Sequence, residues 1–243
     1  MYAFLIKVFV SILTALLAIP FFLNDPPGAG TEVQVVGEMK KTMWNGELEG
    51  KILLDTIVNK KSLYGIGPEA FMTGEIIIVD GQAFVSRVKS DSTMEVEETF
   101  EIKAPFFVYS NVNSWEKVTI PTSVSSIRQL EAFIDSVSKK PEAPFTFKLK
   151  GKVKSAKVHV QNLPPGTVVK SPKDAHQGQK SYLIHDREVE IVGYYSTKHQ
   201  GVFTHHDSFV HMHLITTDKK MMGHLDDVDF GANKVKLFLP DPM

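Results

Sequence analysis

Short apolar runs bounded by turn residues dominate this chain and predict a strand-rich fold. Gly74 to Val85 reads as a hairpin turning at Asp80-Gly81, a pair suited to a tight two-residue turn. Further strands are expected at Glu32–Val36, Phe106–Tyr109, Trp115–Ile120, Phe145–Leu149 and Lys152–Val160. Ser181–Tyr195 and the segment from Phe209 to Leu239 supply the rest. Helical spacing shows in two places. Met43, Trp44, Leu48, Ile52, Leu53 and Ile57 predict a helix over Met43–Val58, and Ile127, Leu130, Ile134 and Val137 predict one over Val124–Lys139. Pro141-Glu142-Ala143-Pro144 marks a boundary between residues 31–140 and 141–243, and Lys170–Lys180 reads as a polar loop.

Residues 4–23 are nearly all apolar, with Lys7 the only charge, and a Pro- and Gly-rich run follows. Residues 1–30 therefore predict a signal peptide or an uncleaved N-terminal anchor, with a buried helix as a third reading. Export to a periplasmic or extracellular location is the expectation. Membrane contact is expected only through this segment if it is retained.

The stretch from Phe209 to Phe230 concentrates the chemistry. Six of the nine histidines fall between His199 and His224. An apolar run holding His211-Met212-His213 meets Thr217-Asp218-Lys219-Lys220, and Met221-Met222-Gly223-His224-Leu225 follows. A loop over Thr217–Lys220 pairs Thr216 with Met221 and sets His213 directly opposite His224. His211 and His213 share a face because strand side chains alternate. Opposed residues have Cβ atoms roughly 4.5–5.5 Å apart, so three imidazoles can converge on one metal ion. Three protein ligands leave a position open for water or substrate. The competing reading is a polar hairpin whose histidines only hydrogen-bond one another. His205-His206-Asp207, just before this strand, is either an exposed loop or a group that orients the ligands.

Composition narrows the chemistry further. The 243 residues suffice for one large or two small cores. A formal charge of −1 and a pI near 6.8 give no reason to expect nucleic acid. The lysines of Lys148–Lys157 alternate with apolar residues, as on a half-exposed strand. There is no cysteine, so a metal must be held by His, Asp or Glu.

With a Gly-punctuated strand and a histidine hairpin together, the chain from about Met43 to Leu239 resembles the α-acetolactate decarboxylase family. Tyr64-Gly65-Ile66-Gly67, Gly74-Glu75-Ile76 and Val79-Asp80-Gly81 resemble the family's Gly-x-Gly-Thr-Phe…Leu-Asp-Gly-Glu…Asp-Gly pattern. Phe145…Lys148-Leu149-x-Gly151 is similar to Ile-Arg-Ile-x-Gly. The most specific block is Val192-Gly193-Tyr194, His211-x-His213 and Gly223-His224, resembling Val-Gly-Phe…His-x-His…Gly-Gly-His. The resemblance implies an α/β (α+β) fold of two halves, each built on a mixed, largely antiparallel β-sheet with few helices. It also implies one zinc ion held by His211, His213 and His224, with Glu75 at the position of the active-site glutamate. The implied reaction is decarboxylation of 2-acetolactate, or a similar 2-hydroxy-3-keto acid, to acetoin and CO₂. Metal stabilises the enediolate left by CO₂ loss, and Glu75 shuttles the completing proton. The implied partner is a small keto acid, with homodimer formation left open.

Two departures stand out. The family's active-site arginine falls on His159, for which Lys157 or Lys148 could substitute, and histidine lacks arginine's fixed fork of donors. The family's C-terminal glutamate has no clear counterpart, Asp241 being a poor replacement. A repurposed or inactive zinc or small-ligand binding protein is therefore the alternative. A hydrolase using zinc-bound water ranks behind it.

Overall fold

The computed structural model describes residues 32–138, 143–231 and 235–241. The N-terminal segment read as a signal peptide or anchor lies outside them, as do Pro141 and Glu142 of the expected boundary. Among the described residues, no helix is long and apolar enough to cross a membrane.

Two six-stranded sheets carry the fold. The first contains β1 (Gln34–Val36), β3 (Leu63–Pro68), β4 (Glu75–Val79), β5 (Gln82–Val88), β6 (Met94–Glu98) and β8 (Phe107–Asn111), in the order β1-β8-β3-β4-β5-β6. A small ribbon pairs β2 (Ile52–Leu53) with β7 (Lys103–Ala104). The second sheet holds β9 (Trp115–Val118), β10 (Phe145–Val160), β11 (Lys180–Tyr195), β12 (Val210–Thr216), β13 (Met222–Asp229) and β14 (Val235–Pro240). Helices are α1 (Met39–Asn45), α2 (Ile127–Val137) and α3 (Pro172–Ala175). All pairings between these strands are antiparallel. The expectation of sheet-based halves with few helices holds. β9, from before the expected boundary, pairs with β14 of the second sheet.

The second sheet closes on itself. β10 pairs with β11, β11 with β12, β12 with β13, and β13 returns to β10. Closure satisfies the strand edges and encloses an apolar core that includes Leu149, Val153, Val158, Ile191, Met212, Leu214 and Leu225. Helix α2 lays Leu130 and Ile134 on this core, and Ser126 caps its N-terminus by accepting from the Gln129 N–H.

Strand alternation then assigns the other face. Ile215 of β12 and Met222 of β13 pack on Tyr64, Ile66, Ile77, Val79 and Val108 of the first sheet, forming the core between the sheets. Glu75 shares a face with Ile77 and Val79, and His211 and His213 share one with Ile215. These polar groups thus continue the line of the apolar interface. The hairpin fold makes this unavoidable.

Three local readings are revised. The helix expected over Met43–Val58 ends at Gly46, whose left-handed φ of 69° suits a glycine cap. Residues beyond it turn into β2 and a 3₁₀ turn at Leu54–Thr56, with Leu48 and Leu54 in different apolar clusters. The two strands expected over 145–160 are one, because Gly151 at φ 145° bends the chain without breaking the ladder. Polar Lys170–Lys180 contains α3, nucleated where Ser171 accepts from the Asp174 N–H ahead of Pro172.

Candidate metal centre

The β12–β13 hairpin has the register expected from its loop. His213 pairs with His224, Leu214 with Gly223 and Ile215 with Met222, while the Thr216 N–H donates to the Met221 carbonyl. β10 lies on the other side of β13 and sets His159 opposite His224. β4 faces them with Glu75. Five sequence-predicted residues therefore meet at one place.

Ring centroids of His211 and His213 are 5.0 Å apart, those of His211 and His224 5.1 Å, and those of His213 and His224 5.6 Å. All three rings are buried. Nδ1 of His211 and both nitrogens of His213 are buried without a hydrogen-bond partner among the described residues. Burial, then the neighbouring imidazoles, holds both rings well below the ordinary histidine range. Burial, then His159, lowers His224 as well. Neutral rings with unsatisfied nitrogens are what a metal ion requires of its ligands, so this donor set fits one.

Asp226 was missed by sequence reasoning. It is the extra residue of a β-bulge: Lys157 pairs with Asp227, Val158 with Leu225, and nothing pairs with Asp226. Its carboxylate accepts from His159 Nδ1 at 2.6 Å and His224 Nδ1 at 3.1 Å. Burial opposes its ionisation, but these bonds outweigh it and hold Asp226 far below the usual carboxylate range. The His224 tautomer this favours puts a lone pair on Nε2, the form in which it can ligate a metal. The same oxygen locks the His159 ring, which stacks on His224 with centroids 4.5 Å apart. Two residues beyond His224 is a spacing that strand periodicity marks as the same face, and this was the available signal.

Glu75 is 3 % exposed. Its oxygens lie 3.6 Å from His213 Nε2 and 3.8 Å from His159 Nε2. Burial, reinforced by Asp226 and opposed by a backbone bond from Gln161, pushes its carboxyl well above the usual range. A cavity of about 200 Å³ opens beside it, lined among others by His159, Gln161, His176, His205 and Met72. His176 comes from the end of α3 and had no signal in the sequence.

The suggested substitutes for arginine do not reach this cavity. Lys148 donates to the Tyr64 hydroxyl at 3.0 Å and sits 4.3 Å from the Trp115 ring centroid. Lys157 is exposed. Asp241 is exposed too, with its backbone tied to Ser114. The His205-His206-Asp207 cluster divides. His206 and Asp207 project into solvent, whereas His205 turns inward, its Nε2 2.9 Å from His224 Nε2. Burial, then His224, lowers its pKa to about 4. One nitrogen from each of His205, His211 and His224 lies within 4.8 Å of the others, and the expected ligand His213 is not part of this grouping. His159, His224 and Asp226 form a second such grouping.

Comparisons with known proteins give the family and the fold. The alpha-acetolactate decarboxylase from Lactococcus lactis subsp. cremoris strain MG1363 is 28 % identical over 197 residues, covering 78 % of each chain. Alpha-acetolactate decarboxylase from Bacillus subtilis strain 168 has a similar fold, with a TM-score of 0.69 at 20 % identity over 86 % of this chain and 85 % of that one. A Staphylococcus aureus protein of unknown function, described as similar to alpha-acetolactate decarboxylase, superposes equally well over 86 % of each chain. The family profile for alpha-acetolactate decarboxylase matches residues 36–239, which span both sheets and every residue of the histidine centre; the chain belongs to this family of carboxy-lyases.

Proposed function

We propose that the protein decarboxylates 2-acetolactate, or a close 2-hydroxy-3-keto acid, to acetoin in a zinc-dependent reaction. The observation that carries this reading is Glu75, a buried carboxyl whose burial disfavours ionisation, beside unsatisfied histidine nitrogens and a small cavity. His211, His213 and His224 would hold the ion. Three imidazoles and no thiolate favour zinc. When bound, the ion supplies the positive charge that stabilises the oxygen taking up electrons as CO₂ leaves.

The chain's own residues account for the remaining work. Breaking the bond between the carboxylate carbon and C2 sends an electron pair toward the ketone, giving an enediolate that needs a proton at C2. Burial favours the protonated form of Glu75, which would donate that proton to C2; the reaction consumes one proton overall, which solvent returns to Glu75 after product leaves. His159 is held in place by Asp226 and presents Nε2 toward Glu75. It stands where the family resemblance puts an arginine and, as the imidazolium with Nδ1–H on Asp226, would donate one hydrogen bond from Nε2 to the substrate carboxylate. Packing of the two sheets excludes bulk water around Glu75 and His213.

Turnover of 2-acetolactate in metal-loaded protein tests this. His213→Ala is expected to lose metal and activity together, and Glu75→Gln to lose activity with metal retained. Activity surviving in either variant contradicts the assignment. One observation favours a second reading, a zinc or small-ligand binding protein of the same fold. Among the described residues, no lysine or arginine lines the cavity. It predicts stoichiometric metal with no CO₂ release. We further propose export, on the apolar segment at residues 4–23.

A further inference from the structure

We propose that His205 is a fourth protein ligand of the metal ion, carried on the loop before β12, and that it closes the centre until substrate enters. This rests on the metal centre proposed above. His205 has a nitrogen within 4.8 Å of one from each of His211 and His224. With Nδ1–H of His224 directed at Asp226, its Nε2 carries a lone pair, and His205 Nε2 faces that atom at 2.9 Å. This contact is a hydrogen bond from His205 Nε2–H, and a metal ion that displaces that proton would take both lone pairs.

The loop is built to hold this pose. On one side, the Met39 and Lys40 N–H groups donate to the Val202 and Gly201 carbonyls at 2.7 and 2.8 Å, and Phe203 and Thr204 are buried. On the other, Glu131 of α2 accepts from the Ser208 hydroxyl at 2.6 Å and the Phe209 N–H at 2.8 Å. Between these pins His206 and Asp207 have side chains 91 % and 73 % exposed, while His205 alone turns inward. Of these three consecutive polar side chains only His205 is withdrawn to intermediate exposure, against His224.

Position explains what the ligand does. The 200 Å³ cavity at Glu75 and an outer cavity of about 500 Å³ bounded by Met39, Met43 and Trp44 both have His205 in their walls. A third hollow, at Ser208 and Val210, shares it as well. His205 is shared by the inner and outer cavities, together with Met39, Met43 and His176. Three imidazoles leave zinc an open position, and a fourth completes a closed tetrahedral set. Substrate taking that fourth position would displace it.

The test compares wild type, His205→Ala and His206→Ala in the full chain. Zinc affinity is measured by competition with a chromophoric chelator, and the visible absorption of the cobalt(II)-loaded proteins is recorded. His205→Ala is expected to weaken zinc binding about tenfold or more and to change the cobalt spectrum as a solvent oxygen replaces a nitrogen. His206→Ala should match wild type. Equal affinity and an unchanged cobalt spectrum in His205→Ala overturn the inference while leaving the three-histidine centre standing. Failure of wild type to bind either metal overturns both. Melting of the metal-free proteins reports folding, and His205→Gln repeats the comparison with the side chain's bulk kept.

Discussion

Gly223→Ala should damage the metal centre without touching a ligand. A Cβ at this position would sit 2.3 Å from the His159 carbonyl oxygen and 3.1 Å from its carbon. Relaxed contacts begin near 3.5 Å, so β13 and β10 must part by about 1 Å. Gly223 precedes His224, and His224 is opposite His159, so the strain falls on the ladder that aligns the two rings with Asp226. Overpacking of this sort costs about 1–3 kcal/mol, which for a chain of this size lowers Tm by roughly 2–10 °C. Displacing a reacting group by about 1 Å costs on the order of 10²-fold in turnover. Calorimetry of metal-free protein, chelator competition and CO₂ release from 2-acetolactate measure the three effects. A variant with native Tm, zinc affinity and turnover would refute the claim that close approach of β10 and β13 positions His224.

Glu75→Gln should lower turnover by about 10²-fold or more with metal retained, measured at saturating substrate. The same variant makes a pH prediction for metal-free protein. A carboxyl raised on folding contributes no penalty below its unfolded pKa of about 4.3 and destabilises the fold as pH rises toward the folded value. Metal-free Glu75→Gln should therefore match wild type in acid and exceed it at neutral pH in urea midpoint; equal midpoints across the range would remove the buried-carboxyl argument. Asp226→Asn should weaken zinc binding about 10–100-fold, because the His224 ring loses the group that fixes its tautomer. Unchanged affinity in a chelator competition would show that Asp226 orients nothing.

Much of this site was legible because it sits on a hairpin. The four residues Thr217–Lys220 fix the register of β12 and β13, and register fixes which histidines meet. Asp80-Gly81, with φ of 49° and 82°, likewise set β4 against β5 and placed Glu75 on the face of Ile77. Helix α2 was legible from its apolar stripe. Other features depended on events that periodicity does not encode. Asp226 shares the face of His224 by spacing, but the bulge that leaves it opposite no residue of β10, with its carboxylate on His159, is a break the pattern does not mark. His205 turns inward because Phe203 and Glu131 pin the chain from distant elements. β6 escaped notice because Glu95, Glu97 and Glu98 make it a charged edge strand rather than an apolar run. The length of α1 was overread because residues on both sides of Gly46 are apolar for the sake of different clusters.

Titrating metal-free protein with zinc while measuring CO₂ and acetoin from racemic 2-acetolactate tests the central claim most directly. The account predicts that both products rise together with added zinc and level off at one ion per chain. Turnover already present without metal, or a fully zinc-loaded protein that releases no CO₂, would contradict it.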